Sequence, residues 1–212
     1  MTVVELDFAA VGHSLPADHG YALFSALSEV VPSIHEATWL GIHTLPGTRD
    51  GKGNLTLPPK PKLSLRLPME WIPTVYPLAG KKIVVGNHPL RLGIPQIRML
   101  TPAETLRARL VTLKLAGSEG KMAEPISFLE GVQRQLEALS IGGKASLEPA
   151  TDSKGLDSYA RRVLRIKGTV ITGYGVLVSG LNDEDSLKLQ AAGIGGRRRM
   201  GCGIFVPVRG GA

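Results

Sequence analysis

The sequence predicts an α+β protein built from two tandem ferredoxin-like domains, one over residues 1–100 and the other over 101–212. The chain has 212 residues, of which 43% are hydrophobic, and this is enough for two packed cores. Each half presents strand and helix patterns in the order β-α-β-β-α-β, which is typical of this fold. No low-complexity linker separates the halves, so we place the domain boundary near Leu100–Thr101.

The first half opens with a predicted strand and an amphipathic helix. Residues 2–10 alternate in part between apolar and polar and are rich in β-branched side chains, which predicts a strand. A helix then starts near Pro16–Asp18 and ends before Pro32, which leaves His35 just beyond it. Apolar residues recur along this helix at steps of three and four, on one face: Tyr21, Phe24, Leu27, Val30 and Val31.

The rest of the first half completes the order. The predicted elements are a short strand at 39–45, a long glycine- and proline-rich loop at 46–61, an alternating strand at 62–67, and two strands at 81–87 and 89–100. Residues 69–80 are expected to form a distorted helix, because Pro73 and Pro77 break a regular one. The apolar residues Trp71, Val75 and Leu78 are spaced to cover a sheet.

The second half repeats the pattern. Its predicted elements are a strand at 107–116, a helix at 126–139, a loop at 142–157 with a short strand at 145–147, a hairpin or pair of strands over 161–181, a helix at 183–193 and a last strand at 201–208. The first of these helices has one apolar face: Ile126, Leu129, Val132, Leu136 and Leu139. Asn182 or Asp183 caps the second helix, whose first turn carries acidic residues that suit the helix dipole.

Charge indicates a polyanionic partner. The chain has 25 Lys and Arg against 18 Asp and Glu, a net charge of +7. The excess is concentrated in the last third, in two clusters: Arg161, Arg162, Arg165 and Lys167, and then Arg197, Arg198 and Arg199. One guanidinium group can donate two parallel hydrogen bonds to the oxygens of a phosphate, so clustered arginines favour a nucleic-acid partner. The alternative is that a modest positive charge serves only the solubility of the protein.

Cysteine usage and hydropathy favour a cytoplasmic protein. Cys202 is the only cysteine, which excludes an intramolecular disulfide and a cysteine-based metal site. The first residues lack the basic and apolar regions of a secretory signal, and no window approaches 18 uninterrupted apolar residues. We therefore expect neither export nor a membrane partner.

A glycine-rich loop between the last helix and the last strand carries the strongest signal. Gly193, Gly195, Gly201 and Gly203 form the pattern G-x-G, five residues, G-x-G, with the arginines 197–199 at its apex. Without Cβ atoms, backbone N–H groups can approach an anion closely, and the arginines add charge, so the loop predicts a cradle for a nucleic-acid backbone. A dinucleotide fingerprint is excluded because its glycines precede a helix, and a Walker loop because Gly-Lys-Ser/Thr is missing. A helix C-cap followed by a basic turn is the simpler alternative.

At these residues the chain resembles the CRISPR-associated repeat-processing endoribonucleases, the sixth numbered Cas proteins. Their C-terminal hallmark is G-h-G-x5-G-h-G, with h apolar, and the loop fits it at every glycine and at both apolar sites, Ile194 and Cys202. In the first half, the family's proline, histidine, tyrosine and post-helical Leu-His-Glu are matched by these residues: Pro16, His19, Tyr21, Ile34, His35 and Glu36. The short length and the sequence GGRRRMGCGIFVP resemble the subgroup of type I systems of the myxobacterial kind.

The resemblance implies a reaction in which the ribose 2′-OH attacks the adjacent phosphorus, giving a 2′,3′-cyclic phosphate and a 5′-OH without metal or cofactor. A weak nucleophile needs a base that titrates near pH 7, which is histidine chemistry. By position, the resemblance implies His35 as the base, with His19 as the alternative and His43 as a supporting or exchanging group. Relatives carry a tyrosine where this chain has Ser28, so either Ser28 or Tyr21 serves in its place.

The implied partner is CRISPR repeat RNA, held at its backbone by both arginine clusters and by the loop glycines. The resemblance further implies that the protein stays bound to the 3′ stem-loop of the mature crRNA and meets other Cas subunits of a type I effector complex. Two alternatives remain: a non-catalytic crRNA-binding subunit of an effector complex, and a metabolic protein with ferredoxin-like repeats. The latter should lack a strong salt dependence of RNA affinity.

Overall fold

The computed structural model describes residues 1–114, 124–151 and 157–208. The chain divides into two compact units: residues 1–100 together with 199–201, and residues 101–198 together with 202–212. Three residues of the glycine-rich loop, Arg199–Gly201, thus group with the first unit. Among the described helices, none is both long and apolar enough to cross a membrane.

The first unit is a five-stranded antiparallel sheet with helices on one face. Its strands are β1 (Val3–Val11), β2 (Ser14–Pro16), β3 (Gly41–Ile42), β4 (Thr48–Arg49), β5 (Asn54–Thr56), β6 (Lys62–Pro68), β7 (Lys82–Val85) and β8 (His88–Met99). Its helices are α1 (Gly20–Val30) and α2 (Ile72–Val75), with 3₁₀ helices at Pro32–His35, Met69–Trp71 and Tyr76–Leu78. The main sheet runs in the order β3-β6-β1-β8-β7.

Strand β1 separates the hydrophobic core from a charged sheet face. Leu6 and Phe8 are buried in the core that α1 also joins through Leu23 and Leu27. The intervening residues point to the other face, where Glu5 pairs in register with Arg66 of β6, and Asp7 with Ser64. Period-two alternation in one strand therefore places two acidic residues side by side, away from the helices.

The second unit repeats the topology. Its strands are β9 (Leu106–Val111), β10 (Lys144–Leu147), β11 (Pro149–Thr151), β12 (Asp157–Tyr159), β13 (Arg161–Ile166), β14 (Thr169–Ser179) and β15 (Phe205–Pro207). Its helices are α3 (Pro125–Ala138) and α4 (Asp183–Ala192), and a 3₁₀ helix at Arg198–Met200 lies in the glycine-rich loop. The sheet runs β10-β14-β9-β15, with β13 paired to β14. The prediction of two ferredoxin-like units is confirmed.

Both predicted ends of the last helix are confirmed. Asn182, rather than Asp183, is the N-cap, and its side-chain oxygen accepts a hydrogen bond of 2.8 Å from the amide of Asp185. At the other end Gly193 has φ of 69° and donates its amide to Leu189 O at 2.8 Å. Gly193 is thus the C-cap of the last helix, as the simpler alternative predicted, and it is also the first residue of the glycine-rich loop.

Several predicted elements differ in detail. The predicted loop at 46–61 contains β4 and β5, which join β2 in a small three-stranded sheet, because Asp50 accepts the amides of Lys52 and Asn54 and closes a tight turn. The strand expected at 39–45 shortens to two residues, and the strand expected at 107–116 ends at Val111. Residues 115–116 of that predicted strand and residues 152–156 of the predicted loop lie outside the described residues.

The predicted apolar face of α3 is wrong at one position. Ile126 is 75% exposed, whereas Phe128 is buried together with Val132 and Leu136. Phe128 packs edge-on against Tyr174 of β14, with ring centroids 4.9 Å apart. The buried face of α3 therefore includes Phe128, which contacts Tyr174, and it does not include Ile126, which lies in the exposed first turn.

Candidate active site

The glycine-rich loop folds back on itself. Gly193, Gly195, Gly201 and Gly203 all have positive φ, between 65° and 80°, a region that residues with a Cβ rarely adopt. A Cβ on Gly193 would lie 2.4 Å from Gly203 O, and one on Gly203 would lie 2.1 Å from Ile194 O. The glycines are required both for the turns and for the close approach of the two G-x-G segments.

Three of the four loop glycines donate their amides to acceptors within the protein, so a phosphate contact by the glycine amides stays a prediction. Protein acceptors take the following amides: Gly193 (Leu189 O, 2.8 Å), Ile194 (Gly203 O, 3.3 Å), Gly195 (Gln135 Oε1, 2.8 Å), Gly196 (Thr112 O, 3.2 Å), Cys202 (Arg197 O, 3.3 Å) and Gly203 (Leu110 O, 2.7 Å). A donor that is already engaged cannot also hold a phosphate without losing its partner. The glycines therefore shape the loop, and the arginines lie at its apex.

The second unit anchors two of these arginines. Nη1 of Arg197 donates to Thr112 Oγ1 at 3.4 Å, and Nη2 of Arg198 donates to Ala191 O at 2.8 Å. Both side chains are half-buried. A guanidinium carries five N–H donors in a fixed plane, so these contacts orient both groups.

The third arginine packs on helix α1. Arg199 lies with Cζ 5.3 Å from the ring centroid of Phe24, a cation–π distance, and its Nη1 lies 3.4 Å from Ile34 O. Beside it, a Cβ on Gly201 would lie 2.6 Å from Cγ2 of Thr44. Within the first unit, the apex of the loop thus reaches both the 3₁₀ helix that follows α1 and the segment that follows β3.

His35 contacts the same aromatic ring as this arginine. It ends the 3₁₀ helix Pro32–His35, and its ring centroid is 5.6 Å from that of Phe24, the ring on which Arg199 packs. Its side chain is 68% exposed, with Nδ1 3.3 Å from Glu36 Oε1. An accessible imidazole and a guanidinium therefore share one aromatic ring.

His43 follows β3 and faces a buried carboxylate. Its side chain is 20% exposed, and Nε2 lies 3.1 Å from Oε1 of Glu5. Burial raises the pKa of the Glu5 carboxyl, but His43 and Arg66 outweigh that effect and hold this pKa at about 2. Glu5 is therefore a fixed negative charge against the ring of His43 at neutral pH.

His19 has a structural environment. The side chain is buried, its Nδ1 lies 2.9 Å from Pro16 O, and its Nε2 accepts the amide of Leu45 at 3.0 Å. With both nitrogens engaged, the ring ties the start of α1 to the segment after β3. We therefore leave His19 out of the catalytic assignment.

This environment predicts that His19→Ala lowers the free energy of unfolding by about 1–3 kcal/mol, because it leaves the buried amide of Leu45 without its acceptor. Urea unfolding measures this free energy for His19→Ala and for a matched control, His13→Ala, in which the replaced histidine is exposed. Equal stability of the two variants would contradict the structural role.

The two hydroxyl candidates lie on the α1 face that carries Phe24. Tyr21 precedes Phe24 by three positions and Ser28 follows it by four, so helical periodicity aligns all three. Oγ of Ser28 donates to Phe24 O at 2.8 Å, and Tyr21 is partly buried against the core of the first unit. The hydroxyl of Ser28 is thus held by its own helix.

The first cluster of cations predicted to bind RNA, Arg161, Arg162, Arg165 and Lys167, contains one residue that contacts the sheet and three that are exposed. Arg162 is held by Arg109 O at 2.9 Å and by Glu148, so it serves the sheet. Arg161 and Arg165 are exposed on the opposite face of β13, and Lys167 is exposed in the turn to β14, with φ of 45°. Three of the four predicted cations are therefore open to solvent.

Sequence reasoning missed Glu5 and the role of Phe24. Glu5 reads as the polar member of an alternating strand, and Phe24 as one more apolar residue of α1, so neither pattern distinguishes them. Over the described ranges, no group of three or more His, Cys, Asp or Glu side chains is placed to hold a metal ion.

Comparison with known proteins gives concordant results. Residues 4–210 match the sequence profile of the Cas6 CRISPR family. The chain is 37% identical over 207 residues to the CRISPR-associated endonuclease Cas6 of Myxococcus xanthus strain DK1622, an alignment covering 98% of this chain and 82% of that protein.

Solved structures share the fold. A CRISPR-associated protein Cas6 matches with a TM-score of 0.64 at 16% identity, over 98% of this chain and 99% of the other. A Cas6-related protein from Pyrococcus furiosus matches with a TM-score of 0.66 at 13% identity, over 97% and 98% of the two chains.

Proposed function

The chain belongs to the Cas6 family of CRISPR-associated endonucleases, which act in CRISPR repeat processing, and on that premise we propose how it cuts repeat RNA. The proposed reaction uses no metal ion and no cofactor. It converts pre-crRNA to mature crRNA by intramolecular attack of a ribose 2′-OH, leaving a 2′,3′-cyclic phosphate and a 5′-OH. The observation that carries this proposal is the packing of Arg199 and His35 against the same ring, that of Phe24.

The proposed mechanism divides the proton transfers between two histidines. His35 accepts the proton of the 2′-OH as the new O–P bond forms, and its exposure lets RNA reach the ring. Arg199 stabilises the negative charge that develops on the phosphate, and the P–O5′ bond then breaks. His43 supplies the proton that the departing 5′-oxygen takes up. Tyr21, on the α1 face that carries Phe24, serves as a hydroxyl donor to the phosphate.

RNA binding in this proposal is electrostatic and is divided between two surfaces. Arg197, Arg198 and Arg199 contact phosphates near the cut, on a loop whose shape the glycines fix. Arg161, Arg165 and Lys167, exposed on the β13 hairpin, contact the backbone farther along. We propose that this binding retains the 3′ stem-loop of the product, that other Cas subunits of a type I effector complex then join it, and that the protein acts in the cytoplasm.

The direct test incubates the purified protein with repeat RNA in EDTA and analyses the ends of the products. We expect a single cut with a 2′,3′-cyclic phosphate on one product and a 5′-OH on the other. Tight binding without a cut would favour a non-catalytic crRNA-binding role. Cleavage that requires added Mg²⁺ would overturn the metal-free mechanism.

Replacing Arg197, Arg198 and Arg199 with alanine is expected to weaken RNA binding. The slope of log affinity against log salt should flatten by about 1 for each arginine that contacts a phosphate. Binding titrations from low to high salt measure this slope. A variant lacking three exposed cations of the β7–β8 hairpin is matched in charge, and it should keep the wild-type slope: Lys81, Lys82 and Arg91 to alanine. Equal slopes in the two triple variants would place the phosphates elsewhere.

A further inference from the structure

A buried ionic cluster lies behind His43. Glu5 and Arg66 are each 1% exposed, and both Nε and Nη2 of Arg66 donate to Oε1 of Glu5, the former at 2.9 Å. The same oxygen lies 3.1 Å from Nε2 of His43. Arg66 and Glu5 face each other in register on β6 and β1, so regular sheet pairing fixes where the carboxylate lies.

The carboxylate is not fully satisfied by this arrangement. Within the described part of the chain, Oε2 of Glu5 is buried and has no hydrogen-bond partner. A buried carboxylate with spare acceptor capacity strongly favours a proton on any facing nitrogen. The nitrogen that faces this carboxylate is Nε2 of His43, which lies 3.1 Å from the other oxygen, Oε1. Within the described residues Nε2 is itself buried and has no hydrogen-bond partner of good geometry, so this close approach to Oε1 is the contact on which its proton depends.

We propose that Glu5 is a positioning residue for His43, holding a proton on Nε2 so that Nδ1 is the nitrogen that meets the RNA. The inference rests on the proposed function, in which His43 protonates the departing oxygen. A carboxylate that fixes the tautomer and orientation of a functional imidazole is a general device in enzymes. Arg66 in turn fixes Glu5, so three side chains from three strands or their ends form one chain of contacts.

The proton balance of the step follows from this assignment. His43 enters the reaction as an imidazolium with protons on both nitrogens. As the P–O5′ bond breaks, the proton on Nδ1 moves to O5′, and His43 is left neutral with its remaining proton on Nε2, against Glu5. The proton that His35 took from the 2′-OH returns to solvent, and His43 regains one from solvent, so no other reactant is needed.

The first test reads the tautomer directly. ¹⁵N NMR of the imidazole nitrogens, with His43→Gln used for assignment, should show neutral His43 protonated on Nε2 in the wild-type protein. A ring protonated on Nδ1 would overturn the inference. This measurement needs only the wild-type protein and one assignment variant. It therefore tests which nitrogen of His43 carries the proton even if substitutions at Glu5 prevent folding.

The second test separates positioning from simple stabilisation. Glu5→Gln should lower the single-turnover cleavage rate about 10- to 100-fold with little change in RNA affinity, and should let the neutral ring populate both tautomers. Asp7→Asn is the matched control, because Asp7 lies two residues along the same strand face and pairs with Arg98 at 2.9 Å instead of with a histidine. It should leave the cleavage rate and the His43 spectrum unchanged.

A double-mutant cycle distinguishes the failure of this inference from failure of the proposed function. If Glu5 acts through His43, Glu5→Gln should cost nothing further in a His43→Ala background. A His43→Ala variant that cleaves at the wild-type rate would remove His43 from the proposed mechanism. A slow His43→Ala variant, combined with Glu5→Gln behaving like Asp7→Asn, would leave the proposed function standing and overturn the role of Glu5.

Discussion

His35→Ala is expected to lower the single-turnover rate of repeat RNA cleavage by about 10²- to 10⁴-fold, the usual cost of losing a general base. Its side chain is 68% exposed, so we expect the substitution to leave the fold and the binding surface in place. RNA affinity should therefore stay within about twofold of wild type, the pattern of a group used only in the transition state. Rapid-quench cleavage and equilibrium binding at the same salt concentration measure the two quantities.

The matched control is His13→Ala, another exposed histidine of the first unit that has no part in the proposed mechanism. It should cleave at the wild-type rate. If His35→Ala also cleaves normally, the base lies elsewhere. Since His19 has both ring nitrogens engaged, the next candidate is His43.

Gly203→Ala is expected to disable the enzyme from a position that touches no substrate in the proposed mechanism. The residue has φ of 65°, and an added Cβ would lie 2.1 Å from Ile194 O, a backbone atom that cannot move aside easily. The left-handed conformation alone costs a residue with a Cβ about 1–2 kcal/mol, and relief of the clash must shift the loop. A displacement of about 1 Å at the catalytic arginines would slow cleavage about 10²-fold. Thermal unfolding and single-turnover rates measure the two effects.

Gly196→Ala provides the control within the same loop. Gly196 does not have positive φ, and a Cβ there would meet nothing within 4 Å. Its stability and cleavage rate should match wild type. If both variants lose activity equally, any substitution in the loop is harmful and the packing argument for the two G-x-G segments fails.

The fold was predictable because its main elements are long and periodic. β1 alternates in part and is rich in β-branched residues, and α1 repeats its apolar residues at helical spacing between proline signals, so local pattern and global fold agree. The small sheet of β2, β4 and β5 was not predictable, because strands of two or three residues are too short to show a period. The exposure of Ile126 was missed because periodicity marks a face but cannot tell which neighbouring aromatic residue that face meets.

The site was predictable only in outline. Motif spacing led to His35 and to the loop, yet the same spacing suggested anion-binding amides where the structure uses most of them to fold the loop. His19 matched the motif equally well, and only burial and two ring contacts distinguish it from a catalytic residue. A sequence pattern gives the types and order of the residues. Which acceptor each amide or ring nitrogen contacts depends on the tertiary structure, and the pattern does not contain that information.

The grouping of Arg199–Gly201 with the first unit has a consequence for biosynthesis. A nascent chain that has left the ribosome only as far as residue 100 still lacks three residues of its own first unit. The cation that packs on Phe24 follows residues 101–198 in the chain, so the first unit can be completed only after those residues of the second unit have been translated. A product that terminates before residue 199 therefore carries His35 without the arginine that packs on the same ring.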